Sequence, residues 1–128
     1  MIKQITSGVE VSVQVKYEDF YSNPVKSYYL FSYTITLENK NSHPVQLLRR
    51  EWDIYDVGSP RKNIKGDGVI GRQPTILPGK SHSYTSACNL ASGLGKMSGK
   101  YVFVNKATGE EFDVLIPEFM LVTPDRLN

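Results

Sequence analysis

The feature that most restricts the fold of this chain is a two-residue alternation near its beginning. Residues 9–17 place apolar side chains at every second position, with polar side chains between them. Successive side chains of a β-strand point to opposite faces, and β-branched residues favour that conformation. The pattern therefore predicts a strand with one buried face. Its apolar members are Val9, Val11, Val13, Val15 and Tyr17.

Similar stretches recur along the chain and are separated by residues that favour turns, such as proline and glycine. In the stretch Val45–Asp56, Leu48, Trp52 and Ile54 lie on the same face of the predicted strand, and we expect them to face the core. No stretch of helical length has an amphipathic 3.6-residue period. We therefore expect an all-β antiparallel sandwich or barrel. The predicted strands after the first are Ser27–Glu38, Val45–Asp56, Ser83–Cys88, Lys100–Asn105, Glu111–Ile116 and Phe119–Val122.

The length and charge of the chain narrow the class of protein. Its 128 residues suit one domain, which we expect to span residues 1–128. With 15 Lys and Arg against 13 Asp and Glu, the net charge of +2 indicates neither a nucleic-acid binder nor a membrane-surface binder. The single cysteine cannot form an internal disulfide, and the N-terminus lacks the apolar core of a signal peptide. We expect a cytoplasmic protein.

A glycine-rich segment at residues 66–71 has the spacing G-x-G-x-x-G of dinucleotide-binding folds. In those folds the motif opens a helix, and the N-terminus of that helix holds the pyrophosphate. Here Pro74 and Pro78 follow within a few residues, and prolines in these positions prevent a regular helix. The sequence therefore excludes a dinucleotide-binding fold of that type.

A weaker form of the same hypothesis remains open. Backbone N–H groups of a glycine-rich loop can bind an anion without a helix, and flanking cations can add charge-assisted hydrogen bonds. The ligand would be pyrophosphate or a nucleotide. In the structural alternative, the glycines only provide the positive φ angles of tight turns or bulges. The candidate anion-binding residues are Lys65, Gly66, Gly68, Gly71 and Arg72.

Aromatic residues are numerous, with 8 Tyr, 5 Phe and 1 Trp, and two groups of residues are candidates for contact with a protein partner. Arg50 and Trp52 share a strand face, and arginine beside an aromatic residue is a common composition of protein interfaces. Alternatively, Trp52 lies in the core and Arg50 extends to the sheet edge. The second group, Phe20, Tyr21 and Tyr28, surrounds the first long loop.

Candidate metal ligands and catalytic groups are few. His43, His82 and Cys88 have no spacing typical of a metal site. Ser81 and Ser83 flank His82, but neighbouring side chains on a strand point to opposite faces and do not form a catalytic pair. We therefore expect no enzymatic activity, no bound metal and no cofactor.

Several segments are characteristic when taken together: QLL at 46–48, REWDI at 50–54, GDGVIGRQP at 66–74, LPG at 77–79, YTS at 84–86, GKMSGKY at 95–101 and FDVLIPEF at 112–119. They cover nearly the whole chain and jointly resemble the ApaG family, the ApaG or DUF525 domain. The resemblance implies an immunoglobulin- or fibronectin type III-like β-sandwich of about seven to eight strands. It also implies an association with cobalt and magnesium resistance, and related domains look like protein-interaction modules.

Two positions depart from the family pattern. The family commonly has a histidine at the position of Glu51, and its loss weakens a metal hypothesis for this chain. It commonly has an acidic residue at the position of Arg72, where a cation makes the glycine-rich loop more favourable to an anion. The leading hypothesis is a non-enzymatic module that binds an unidentified protein partner, as a monomer or homodimer. Anion binding by the glycine-rich loop is the alternative.

Overall fold

The computed structural model describes residues 1–127, which form two antiparallel β-sheets packed face to face. The strands are β1 (Ile2–Thr6), β2 (Val9–Tyr17), β3 (Tyr29–Asn39), β4 (Val45–Asp56), β5 (Lys62–Asp67), β6 (Thr75–Ile76), β7 (Ser81–Leu90), β8 (Leu94–Asn105) and β9 (Glu111–Val122). The first sheet has the order β1-β2-β3-β7, and the second has the order β5-β4-β8-β9 with β6 beside β4. Short 3-10 helices occupy Pro24–Lys26 and Pro124–Leu127. No helix in this part of the chain is long and apolar enough to cross a membrane.

The all-β prediction is confirmed, and β2 and β4 have the predicted bounds. The structure has nine strands within residues 1–127, where about seven to eight were expected. The strands that the sequence did not predict, β1, β5 and β6, lie at a sheet edge or are very short. Every residue of β5 except Gly66 is exposed, so no hydrophobic alternation marks this strand in the sequence.

The last two predicted strands, Glu111–Ile116 and Phe119–Val122, form one continuous strand. β9 runs through Pro117, which lacks the N–H donor of a regular strand residue. The pairing of β8 with β9 shifts register between Met97 and Gly99, opposite this proline. A proline is accommodated at such a bulge, because the extra residue there does not take part in the regular ladder of hydrogen bonds.

The core lies between the two sheets and is rich in aromatic rings. Trp52 contacts rings of both sheets, since its ring centroid lies 5.5 Å from that of Tyr33 and 5.9 Å from that of Phe119. Tyr101 and Phe103 continue the cluster along β8 in edge-to-face geometry. This geometry directs a positive ring edge at a negative ring face and adds to the stabilisation from burial. These five side chains are almost completely buried.

A β-bulge in β4 corrects one predicted phase. The register of β4 against β8 shifts between Leu47 and Arg49, so Leu48 is an extra residue on this strand. Leu47 is therefore completely buried, whereas Leu48, which the alternation assigned to the core, is only half-buried. After the bulge, Arg50 shares the inward phase of the buried Trp52. The bulge thus directs an arginine side chain between the two sheets.

Candidate binding site

The two sheets are in contact at one side of the sandwich and open at the other. On the closed side, β1 contacts β9, where the N–H of Leu115 donates to Oγ1 of Thr6. On the open side, the edge strands β5 and β7 border a cleft of about 280 Å³, which we call the lateral cleft. Its lining includes Tyr33, Arg50, Trp52, Lys62, Ser86 and Cys88.

Arg50 is the cation at the centre of this region. Its Nη1 donates to the carbonyl oxygens of Asp67 and Gly68, each at 2.9 Å, and these bonds tie β4 to the glycine-rich loop. Within residues 1–127, Arg50 forms no salt bridge. A second cleft of about 240 Å³ also contains Arg50 and extends to Gly71. A half-buried guanidinium with no carboxylate partner, lining these two clefts and a third one beside Lys65 and Gly66, can bind an anionic group.

Three N–H groups of the glycine-rich loop already have acceptors within the protein. The N–H of Gly68 donates to a carbonyl of β4 at 2.8 Å. The N–H groups of Val69 and Arg72 each donate to the other residue's carbonyl oxygen, at 2.7 and 3.0 Å. Between them, Ile70 and Gly71 have φ angles of 48° and 71°, as in a type I′ turn. Gly71 therefore serves a positive-φ position of this turn, and Gly68, just before the turn, also has a positive φ of 61°.

The two cations of the predicted anion site do not converge. Lys65 lies opposite Glu51 on the outer face of the second sheet, and the two side chains form an ion pair of 3.8 Å. Arg72 lies instead near His82 of β7, where burial and then the charge of Arg72 lower the pKa of the imidazole. Gly66 is part of β5 and packs against Arg50. The fold thus separates Lys65 from Arg72 rather than placing both around one ligand.

Burial changes the acid–base properties of Tyr33 and Cys88, which line the lateral cleft, and of two tyrosines packed deeper between the sheets. The hydroxyl groups of Tyr84 and Tyr101 form a hydrogen bond of 2.5 Å. Burial raises the pKa of Tyr33, Tyr84 and Tyr101 above the usual value, so these phenols ionise only at a higher pH than exposed tyrosines. Burial also raises the pKa of the Cys88 thiol to about 11. The thiolate is the nucleophilic form, so Cys88 is weakly reactive at neutral pH.

Residues 18–28, between β2 and β3, form a second candidate site that we call the aromatic loop. Phe20 and Tyr21 are 89% and 65% exposed, and their ring centroids lie 5.1 Å apart in edge-to-face geometry. Tyr28 is 39% exposed. Val25, on the 3-10 helix, is 95% exposed; the sequence did not predict it as a contact residue, because a single apolar residue among polar neighbours has no periodic signal.

Trp52 is only 4% exposed, which corrects its assignment to an interaction surface: the aromatic core encloses it.

The candidate metal ligands lie apart from one another in the fold. His43 lies in the turn before β4, whereas His82 and Cys88 lie on β7. In the described part of the chain, no group of three or more His, Cys, Asp or Glu side chains is placed to hold a metal ion.

Comparison with known proteins relates this architecture to a family. Residues 19–105 match the model of the ApaG domain, DUF525. A protein named ApaG from Shewanella halifaxensis is 42% identical over 127 residues, which cover 99% of this chain and 100% of that protein. A protein named ApaG from Bdellovibrio bacteriovorus is 41% identical over 124 residues, which cover 97% of each chain.

A crystal structure of a protein from Bordetella pertussis has the same fold. It is 37% identical in sequence, covers 97% of this chain and 98% of its own, and superposes with a TM-score of 0.87. The family model, the sequence relatives and the solved structure agree, and the chain belongs to the ApaG family.

Proposed function

We propose that this chain is a non-enzymatic β-sandwich module that binds a protein partner through the aromatic loop. The observation that carries the proposal is the exposure of Phe20, Tyr21 and Val25 on one short loop. Aromatic side chains are enriched at protein interfaces, because they bury a large area with few rotatable bonds. Adjacent exposed apolar side chains of this kind are typical of an interaction site.

The conformation of the aromatic loop supports the proposal, because hydrogen bonds hold the loop before any partner binds. Oγ of Ser22 donates to the carbonyl oxygen of Glu18 at 2.8 Å and accepts the N–H of Leu30 at 2.9 Å. Backbone hydrogen bonds of 2.7 and 3.0 Å join Asn23 and Tyr28. A preorganised loop loses less conformational entropy on binding, which favours affinity.

Photocrosslinking in cells tests this contact. The crosslinking amino acid p-benzoylphenylalanine replaces Phe20, which is exposed, so the fold should tolerate it. The matched control places the same amino acid at Leu77, which is 54% exposed and lies beyond the opposite end of the β3–β7 pair. We expect a discrete crosslinked product from position 20 and none from position 77. No product at position 20, or identical products at both positions, would refute partner binding by the loop.

A second measurement separates side-chain contact from mere proximity. With the crosslinker at Val25, the double substitution Phe20→Ser and Tyr21→Ser should reduce the yield of the product about tenfold, since aromatic anchors dominate interface energies. An unchanged yield would show that the aromatic rings do not contribute to binding.

The alternative function is binding of pyrophosphate or a nucleotide by Lys65, Gly66, Gly68, Gly71 and Arg72. It has weaker support, because three N–H groups of the loop already have acceptors and its two cations diverge. The association with cobalt and magnesium resistance that the family resemblance implies stays a prediction.

A further inference from the structure

Strand β7 is an unprotected sheet edge. It pairs with β3 on one side only, over 10 residues and without a bulge. Native proteins usually protect such edges with charged side chains, proline or bulges, because unpaired N–H and C=O groups can pair with another chain. β7 contains no lysine, arginine, aspartate, glutamate or proline. In contrast, β5, the neighbouring edge of the other sheet, carries Lys62, Lys65 and Asp67.

The lateral cleft runs beside this edge. Residues 86–89 of β7 line it, and the side chains of Ser86 and Cys88 are half-buried on its inner face. An extended segment added beside β7 would direct every second side chain toward the cleft, because side chains alternate between the faces of a sheet. A volume of about 280 Å³ is small for a ligand pocket but sufficient for individual side chains.

The charged residues that line the lateral cleft, Arg50 and Lys62, are both cations. In residues 1–127, the acceptors of the Arg50 guanidinium are two neutral carbonyl oxygens, both bound by Nη1. A carboxylate entering the cleft would gain charge-assisted hydrogen bonds from the remaining N–H groups. Charge complementarity therefore favours an acidic side chain over an apolar or cationic one.

One end of β7 lies beside the aromatic loop. Asn89 is opposite Leu30, and Leu90 is opposite Tyr29, which follows the last residue of the loop. A segment paired with β7 would therefore leave the first sheet at the end that carries the aromatic loop. One partner could occupy both surfaces.

We propose that β7 accepts an extended acidic segment of a partner protein as an additional strand of the first sheet, with one Asp or Glu side chain bound by Arg50 in the lateral cleft. The proposal rests on the protein-binding function proposed above and specifies the chemistry of the partner. Backbone hydrogen bonds to β7 supply affinity, and the carboxylate supplies specificity.

A library of random ten-residue peptides displayed on phage tests the edge directly. We expect the selected peptides to share an Asp or Glu at one position and to shift the amide NMR signals of residues 86–89. N-methylation of one alternate set of peptide N–H groups should abolish binding, whereas methylation of the other set should not, because only one edge of an added strand pairs with β7. Peptides without a shared acidic position, or no binding peptides at all, would overturn the proposal.

Two charge reversals on β5 form a matched pair of variants. Lys62→Glu places a negative charge at the cleft and should weaken binding of the acidic peptides about fivefold. Lys65→Glu changes the net charge equally on the outer face, where Lys65 pairs with Glu51, and should leave binding unchanged. Equal effects of the two variants would contradict a carboxylate in the lateral cleft. Arg50→Met should weaken binding about tenfold or more.

Other ligands of β7 and the lateral cleft would give results different from those expected for an acidic segment. If pyrophosphate displaces the peptides at equal concentration, a free anion is the ligand and strand addition is wrong. A concentration-dependent dimer in sedimentation, with residues 86–89 protected from hydrogen exchange, would assign the edge to a second copy. A crosslink at position 20 without peptide binding at β7 would remove this proposal alone. Peptide binding at β7 without that crosslink would remove only the role of the aromatic loop.

Discussion

The guanidinium of Arg50 lies against Gly66, in the space that a Cβ atom of residue 66 would occupy. Such a Cβ would approach both Nη1 and Nη2 to 2.8 Å. Gly66 is absent from the glycines with positive φ, so it is required for close approach and not for a turn. This glycine on β5 thus allows an arginine on β4 to reach the carbonyl oxygens of Asp67 and Gly68.

Alanine substitutions in the glycine-rich segment should therefore have graded effects. Gly66→Ala should displace the Arg50 side chain and lower the free energy of unfolding by about 1 kcal/mol, since the hydrogen bonds of Arg50 are lost. Gly68→Ala should cost about 3 kcal/mol, because φ is +61° and the new Cβ would collide with the backbone oxygen of Arg72. The control Gly71→Ala meets no atom within 4 Å and should cost about 1 kcal/mol from its positive φ alone. Urea unfolding measures all three, and equal losses at 68 and 71 would contradict the packing described.

Asn39 is a completely buried polar residue at the end of β3, and its removal should destabilise the fold strongly. Its Nδ2 donates to the carbonyl oxygens of His43 and Ile76, each at 2.9 Å, and its Oδ1 accepts the N–H of Asn41 at 2.9 Å. Asn39→Ala leaves these partners unsatisfied and should lower the free energy of unfolding by about 3 kcal/mol. Asn105→Ala, at the half-buried last residue of β8, is the control and should cost about 1 kcal/mol. Similar losses for the two variants in urea would argue against this network.

The buried tyrosines should make stability depend on alkaline pH. Burial raises the pKa of Tyr33, Tyr84 and Tyr101 above the ordinary value of about 10 that applies to the unfolded chain. Above that pH the unfolded chain releases protons that the folded chain retains, so the free energy of unfolding falls as pH rises, whereas the contribution is fully present below it. Urea unfolding between about pH 9 and about pH 11 should show this decrease. Tyr101→Phe should reduce the slope, and an equal slope in both proteins would be inconsistent with late ionisation of Tyr101.

Titration with pyrophosphate tests the alternative function, which is anion binding by the glycine-rich loop. At millimolar pyrophosphate, we expect the amide NMR signals of Gly68 and Val69 to stay unchanged, because their N–H groups already donate to protein carbonyl oxygens. A saturable shift of these signals that disappears in Arg72→Gln would instead support anion binding by the loop. Lys65→Gln, on the outer face, is the control for general charge effects.

Local patterning was sufficient to predict most of the strands, because each of them buries one face against the other sheet. β2 shows this most clearly, since the predicted alternation matches its buried and exposed positions at Val9, Val11 and Val13. β5 was not predicted from the sequence. An edge strand that is exposed on both faces does not need alternating apolar and polar side chains. The bulge at Leu48 was not predicted either, because a bulge depends on the register of β4 against β8 and not on the residues of β4 alone.

The residues of the candidate site could be predicted only in part from the sequence. Phe20 and Tyr21, which lie outside every predicted strand, are exposed, and so is Tyr28, which lies in the predicted strand Ser27–Glu38 but precedes β3 in the structure. For Arg50 and Trp52 the sequence allowed two interpretations, and the structure agrees with the buried tryptophan beside an arginine that reaches the sheet edge. Neither interpretation included the two carbonyl oxygens that hold Arg50.

By itself, the sequence determined the all-β class, the buried face of most strands and the family, because two-residue periodicity and short motifs are properties of neighbouring residues. Only the tertiary structure decided that Arg50 lacks a carboxylate partner within residues 1–127, that three N–H groups of the glycine-rich loop have acceptors within the protein, and that β7 is an open edge beside a cationic cleft. Each of these features depends on segments distant in sequence, such as β4 with the glycine-rich loop or β5 with β7. Such segments meet only when the two sheets pack together.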